Sequence, residues 1–195
     1  MKKIILSAFL LANLSFYAQV TQQTVTIGPN YANNVYYKLN TQTVANFPNN
    51  AWDLGFYRKS NMAFAIRIND AKNAQLFEAS NNINDWPTIS IDNQATWTEL
   101  YNDDTKWVDG GAFEAGSATY GWGEYNMQTH KVVGSVVFVL KERTTYRKIK
   151  IIEFFGGYTF TYSNWNGTSW DADVTKTISN TTNQDKVFNY FSFAT

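Results

Sequence analysis

The period of the apolar residues constrains this chain more than any other feature: from Val20 onward it is two rather than 3.6. Successive side chains of an extended strand point to opposite faces, so the pattern suits half-buried sheet and denies a helix its apolar stripe. Thr24-Val25-Thr26-Ile27 alternates, and Val35, Tyr37 and Leu39 share one face of the next segment. Trp52, Leu54 and Phe56 lie opposite Asp53 and Gly55, and Phe64, Ile66 and Ile68 lie opposite Arg67. Residues 135–140 are apolar on both faces, as a covered central strand requires. Residues 146–152 alternate Lys148 and Lys150 with Ile149 and Ile151, which sends both lysines outward. Gly156-Gly157 supplies a tight connection into the aromatic stripe of Tyr158, Phe160 and Tyr162. Asn166-Gly167 predicts a type I′ hairpin with positive φ at both central residues. Residues 186–193 read as a final strand. Helix is scarce, its best candidate being 94–102, where Ala95, Thr98, Leu100 and Tyr101 give a rough helical face. With no linker and no fixed-period repeat, these signals predict an all-β, antiparallel, sandwich-like domain with one or two short helices.

At the N-terminus Lys2 and Lys3 precede an apolar run over 4–14, and the small residue Ala18 stands before a polar change in composition. This reads as a cleaved secretory signal over 1–18, with one domain over 19–195. The run is shorter than the roughly 20 apolar residues of a membrane span, so no span is expected after cleavage. The product is expected in the secreted or outer-surface compartment. A lipid anchor of the lipobox kind requires a cysteine, and the chain has none.

The inventory of chemical groups excludes whole classes of function. With no cysteine and one histidine among 195 residues, the chain can build no disulfide, thiolate metal site, iron–sulfur cluster, cysteine nucleophile or two-histidine zinc site. The 16 basic and 16 acidic side chains become 14 and 16 once the leader is removed, without the basic excess of a nucleic-acid binder. No P-loop, Gly-rich dinucleotide turn or Ser-His-Asp arrangement is visible. Asp103-Asp104 and Asp171-x-Asp173 read as solvated or turn-forming acids rather than a glycosidase pair or a calcium loop. No enzymatic activity is expected. Residues 85–124 hold eight acids and one base, Lys106, whereas 131–150 hold six bases and one acid, Glu142. Solvated strand faces and loops account for both, with a basic patch for a heme propionate or a surface anion as the alternative.

Several stretches in order carry a family resemblance: Asn50-Ala51-Trp52-Asp53-Leu54-Gly55-Phe56-Tyr57-Arg58, Ala65-Ile66-Arg67-Ile68-Asn69 and Tyr120-Gly121-Trp122-Gly123-Glu124-Tyr125. Residues 134–141, Tyr146-Arg147-Lys148-Ile149-Lys150-Ile151, residues 158–162 and Phe188-Asn189-Tyr190-Phe191-Ser192 continue it. The set resembles the HmuY-like proteins of the Bacteroidetes, closest to the flavobacterial branch, whose members often continue into a type IX secretion sorting domain. The chain ends at Thr195 directly after the predicted last strand, so it reads as a short member or a fragment. The resemblance implies a mainly β fold and a secreted or cell-surface binding protein of the hemophore-like kind. In the founding members two axial side chains, histidines or histidine with methionine, hold the heme iron.

Donors for such a ligand are few. His130 is the only imidazole, placed between two predicted strands; Met127 stands three residues before it and Met62 lies in a turn ahead of Phe64. His130 with either methionine makes a candidate axial pair for heme; a loop histidine and two packing methionines are the plainer readings. Trp86, Trp107, Trp165 and Trp170 fall in loops and are candidate aromatic contacts, although Trp165 and Trp170 also read as a cross-strand pair. Three readings follow: a heme-binding module with an outer-membrane receptor as partner, a heme-free surface or adhesion module of a type IX-secreted protein, and a carbohydrate-binding module. The third requires those tryptophans to be exposed and coplanar.

Overall fold

The computed structural model of the chain describes residues 22–58, 63–179 and 186–194. The segment read as a secretory signal, residues 1–18, and Met62 lie outside them. The described residues form two compact units, divided between Phe47 and Pro48.

In the first unit β1 (Asn33–Lys38) and β2 (Thr43–Pro48) form a two-stranded hairpin. Val35 and Tyr37 take the half-buried positions of β1, as alternation predicts, while β2 is exposed along its length. Residues 24–27 are not a strand, and Val25 and Ile27 stand exposed. A strand needs a neighbouring ladder for its backbone groups, and a period of two cannot supply that neighbour.

The second unit carries β3 (Leu54–Tyr57), β4 (Ile66–Ile68), β5 (Ala74–Ser80), β6 (Thr98–Leu100), β7 (Gly123–Asn126), β8 (Lys131–Gly134), β9 (Val137–Glu142), β10 (Thr145–Phe154), β11 (Gly157–Asn164), β12 (Val174–Ser179) and β13 (Phe188–Phe191). Eight form one sheet in the order β12-β11-β10-β9-β5-β6, with β8 joined to β10 and β7 to β8; β13-β3-β4 form a second. Each pairing in this unit is antiparallel. Leu54, Phe56, Ile66 and Ile68 of the small sheet bury against Leu76, Phe138, Leu140, Ile149, Ile151 and Phe160 of the large one. The fold is all-β and antiparallel, with helix among the described residues confined to short 3₁₀ turns.

Tyr158 ties the two sheets together. Its hydroxyl donates to the Tyr57 carbonyl at 2.8 Å and accepts from the Ala65 N–H at 3.0 Å. Burial holds its phenol well above the ordinary tyrosine value, so it serves as a neutral donor. Tyr158→Phe leaves both backbone groups without this partner and is expected to lower unfolding stability by about 1–3 kcal/mol, measured by denaturant titration.

The outer face of the large sheet is covered as well. Residues 83–97 cross it as two 3₁₀ turns, Ile83–Thr88 and Ile91–Thr96, and seat Trp86 and Ile89 on Val137 and Val139. The helix expected over 94–102 is thereby corrected: the turn ends at Thr96, and Thr98–Leu100 is β6, paired with β5. Lys148 is corrected too, because it is 4% exposed. Its Nζ donates to the Trp86 carbonyl at 2.9 Å and lies 4.4 Å from the Trp86 ring and 5.2 Å from that of Trp170. Alternation gave the face correctly; it carries no information on what packs over that face. Among the described residues no salt bridge joins the acidic 85–124 stretch to the basic 131–150 stretch.

The Asn166-Gly167 turn also differs from expectation. Gly167 alone of the two has positive φ, and the loop spans four residues between the bridged Trp165 and Trp170. Asn166 Oδ1 accepts from the Thr168 and Ser169 N–H groups, an Asx-type turn that replaces the type I′ geometry.

Candidate functional site

The chain's one imidazole sits on the β7–β8 hairpin. The register pairs Gly123 with Gly134, Glu124 with Val133, Tyr125 with Val132 and Asn126 with Lys131. Asn126 shapes the connection: its Oδ1 accepts from the N–H groups of Gln128 and Thr129, and its carbonyl accepts from His130 N–H at 2.9 Å. His130 closes the turn at φ 57, a left-handed conformation in which histidine is enriched among non-glycine residues. Its Nδ1 lies 2.8 Å from the Tyr125 hydroxyl.

Beside this pair opens a hollow of about 280 Å³ lined by Phe64, Tyr120, Tyr125, His130, Val132, Phe154 and Phe155. Val132 and Phe154 are buried, while Phe155 is 59% exposed at the rim. Phe64 is the central wall, with ring centroids 5.5 Å from Tyr120, 5.6 Å from Trp122 and 5.2 Å from Phe154. Lys131, next to His130, pairs with Glu153 at 2.8 Å.

Two residues along the chain from Phe64, the Ile66 backbone meets an unusual carboxyl. Glu114 Oε2 accepts from the Ile66 N–H at 2.9 Å, whereas Oε1 is enclosed and without a hydrogen-bond partner. The Trp122 indole N–H is likewise buried and unpartnered. Burial pushes the Glu114 carboxyl up to about 8, against the opposing pull of the Ile66 N–H and the Arg67 charge. The group is therefore largely protonated at neutral pH and adds little negative charge behind the hollow.

The other candidate residues are dispersed. Met127 is 77% exposed in the hairpin turn and does not line the hollow. Trp86 is buried, with its indole N–H donating to Asp173. Trp165 and Trp170 meet as a T-shaped pair with centroids 5.2 Å apart and planes at 70°, and the Trp170 N–H donates to the Ile89 carbonyl. Trp107 is 65% exposed and lies on the Arg67 guanidinium. Arg67 in turn donates to the carbonyls of Lys106, Trp107 and Gly110. One buried ring, one crossed pair and one separate exposed ring make no coplanar stacking platform.

Sequence reasoning found His130 and missed Tyr125, Tyr120, Phe64, Phe154 and Phe155. Only Tyr125 left a local signal, since it stands on the strand that leads into the turn His130 closes. A second hollow, of about 380 Å³ in the hairpin unit, is lined by Gln23, Val25, Tyr37, Leu39 and Gln42 and carries no charged group. The chain matches no family model, no curated protein and no solved structure.

Proposed function

We propose that this chain is an exported, HmuY-like binding protein whose ligand seat is the aromatic hollow beside His130, and that the ligand is a heme-type porphyrin. The observation that supports this reading is the meeting, at one place, of the single imidazole, a phenol and the rings of Phe64, Tyr120, Phe154 and Phe155. A porphyrin needs an apolar aromatic wall and a nitrogen, sulfur or phenolate donor beside it. At about 280 Å³ the hollow is slightly below the range that encloses a whole ligand of ordinary size. It would therefore grip one edge of the macrocycle, and the exposed rings of Phe155 and Tyr120 continue the wall outward. On this reading the protein carries its ligand without catalysing a reaction on it, and an outer-membrane receptor is the partner to which it would pass.

The test is titration of the purified chain with hemin. A shifted, saturable Soret band is expected, and His130→Ala should weaken binding by about 10–100-fold, the effect usual for a group that supports an iron ligand or is one. An unchanged hemin spectrum at stoichiometric protein would refute the reading.

A further inference from the structure

We infer that Lys72 and Asp53 condense into an intramolecular amide, with Glu142 relaying the protons, so that the chain carries a covalent cross-link between two of its own side chains. This is independent of the ligand reading above. Three groups meet at the site. Lys72 Nζ donates to Asp53 Oδ1 and lies 3.3 Å from Glu142 Oε2. The Asp53 side chain is 3% exposed and that of Lys72 13%, so the amine and the carboxyl face each other away from most of the solvent.

The backbone holds this meeting in place. Asp53 stands directly before β3, and Lys72 ends the 3₁₀ turn Asp70–Lys72 ahead of β5. Asn69 clamps the two segments together. Its N–H donates to the Asp53 carbonyl at 3.1 Å and its Nδ2 to the Trp52 carbonyl at 2.8 Å, while its Oδ1 caps the turn by accepting from the Ala71 N–H. Glu142 arrives from the end of β9, opposite Ala74, two residues beyond Lys72. Arg147 Nη1 lies 3.8 Å from the same Glu142 oxygen, and its guanidinium rests on the Phe193 ring at 4.8 Å, which anchors the carboxylate beside the amine. A free amine and a free acid do not condense in water, but groups held in reacting geometry gain an effective concentration of about 10⁵–10⁸ M.

The remaining contacts suit the reaction. Asp53 Oδ2 accepts from the Phe193 N–H at 2.7 Å and from the Ser192 hydroxyl at 3.0 Å. Those two donors sit on the oxygen that becomes an oxyanion when nitrogen adds to Cγ, which leaves Oδ1, on the amine side, as the oxygen to depart. An ammonium has no lone pair, so Glu142 first carries one proton from Nζ to Oδ1, giving a neutral amine and a neutral acid. The Nζ–Cγ bond then forms. A second proton follows the same path from nitrogen to Oδ1, the Cγ–Oδ1 bond breaks, and Oδ1 leaves as water. The opposite charges of Lys72 and Asp53 disappear together, no oxidant or reductant is needed, and Glu142 ends as it began. The product ties β3 of the small sheet to the turn entering β5 of the large one. With no cysteine the chain can build no disulfide, and an amide gives it a cross-link that reducing agents do not open.

The experiment is peptide mapping of the purified full chain by mass spectrometry after denaturation and trypsin digestion. Wild type is expected to yield a branched peptide joining the segments around Asp53 and Lys72, lighter than their sum by one water and uncut after Lys72. Lys72→Arg keeps the positive charge but offers no nucleophilic amine, so it should yield the two segments as separate peptides of full mass. Glu142→Gln should slow the growth of the linked fraction after purification by about 10²–10⁴-fold, the usual contribution of a positioned acid–base group. Separate Asp53 and Lys72 peptides of full mass from wild type would show an ion pair only and overturn the inference. A Glu142→Gln chain linked as fast as wild type overturns the relay. The wild-type map decides the amide even if a variant fails to fold.

Discussion

Glu114→Gln is expected to raise stability at pH 8 and to flatten its dependence on pH between about 4.5 and 8. The Glu114 carboxyl titrates near its ordinary value of 4.5 in the unfolded chain and at about 8 in the folded one, because burial penalises the charged form. Across that interval the folded chain holds a proton that the unfolded chain has released. Stability from this group is thus fully present below 4.5, falls as pH rises, and is gone above 8. The size of the loss is roughly 3–5 kcal/mol, a large part of the stability of an ordinary domain. Glutamine keeps the shape and an oxygen for the Ile66 N–H and does not titrate, so the variant should overtake wild type as pH rises. Urea melts of both proteins at pH 5, 6.5 and 8 measure the effect. Parallel slopes would show that the carboxyl ionises with ordinary ease in the folded state.

The same carboxyl connects the core to the hollow. Phe64 touches the Trp122 ring, Phe154 touches Tyr158 at 4.7 Å, and burial keeps the Tyr158 phenol protonated. A layer of uncharged polar groups therefore backs the aromatic wall. Ionising Glu114 would place an enclosed negative charge behind rings that are otherwise apolar, and its one hydrogen bond, from Ile66, is a partial offset. Ligand capture is accordingly expected to weaken as pH rises through about 8, where the folded carboxyl ionises and the stability it contributed has been lost.

How much of this was legible depended on whether the cause was local. β9 and β10 were readable because one is apolar on both faces and the other alternates, a pattern that survives in the burial of 137–140, Ile149 and Ile151. Lys148 was misread because its burial is decided by Trp86, 62 residues away in the chain, and no period of two encodes that crossing. The turn at Asn166 was misread because its side-chain oxygen competes for backbone N–H groups, which a dipeptide rule does not weigh. The hollow was invisible for a similar reason: Phe64, Tyr120, Tyr125, Val132 and Phe154 come from separate segments that only the strand order brings together. His130 stood out because it is unique; Tyr125, one of twelve tyrosines, did not.

Gly134→Ala is expected to lower stability by at least about 3 kcal/mol and to abolish the ligand seat with it. A Cβ on Gly134 would lie 1.7 Å from the Ile151 carbonyl oxygen and 2.8 Å from its carbon. That carbonyl belongs to the middle of β10, where Ile151 is wholly buried and pairs with Phe160, beside a register shift before Glu153. Moving it would disturb the core, so the β7–β8 hairpin must move instead. Its contact with β10 is short, Val133 with Glu153 and Val132 with Phe154, and Val132 and Phe154 both line the hollow. Displacing the hairpin therefore separates two of its walls and shifts Tyr125 and His130 with them. Gly55→Ala is the contrasting change. There the added carbon would meet side-chain atoms, the Tyr190 ring at 3.3 Å and Trp52 at 3.5 Å, and Tyr190 is exposed enough to yield. The strand also gains from the lower entropy of the unfolded chain, so its cost should stay within about 1 kcal/mol. For a chain of this length 3 kcal/mol corresponds to roughly 6–12 °C in melting temperature. Thermal scans of the two variants beside wild type make the comparison, and equal melting temperatures for Gly134→Ala and Gly55→Ala would show that the hairpin is not seated through its glycine.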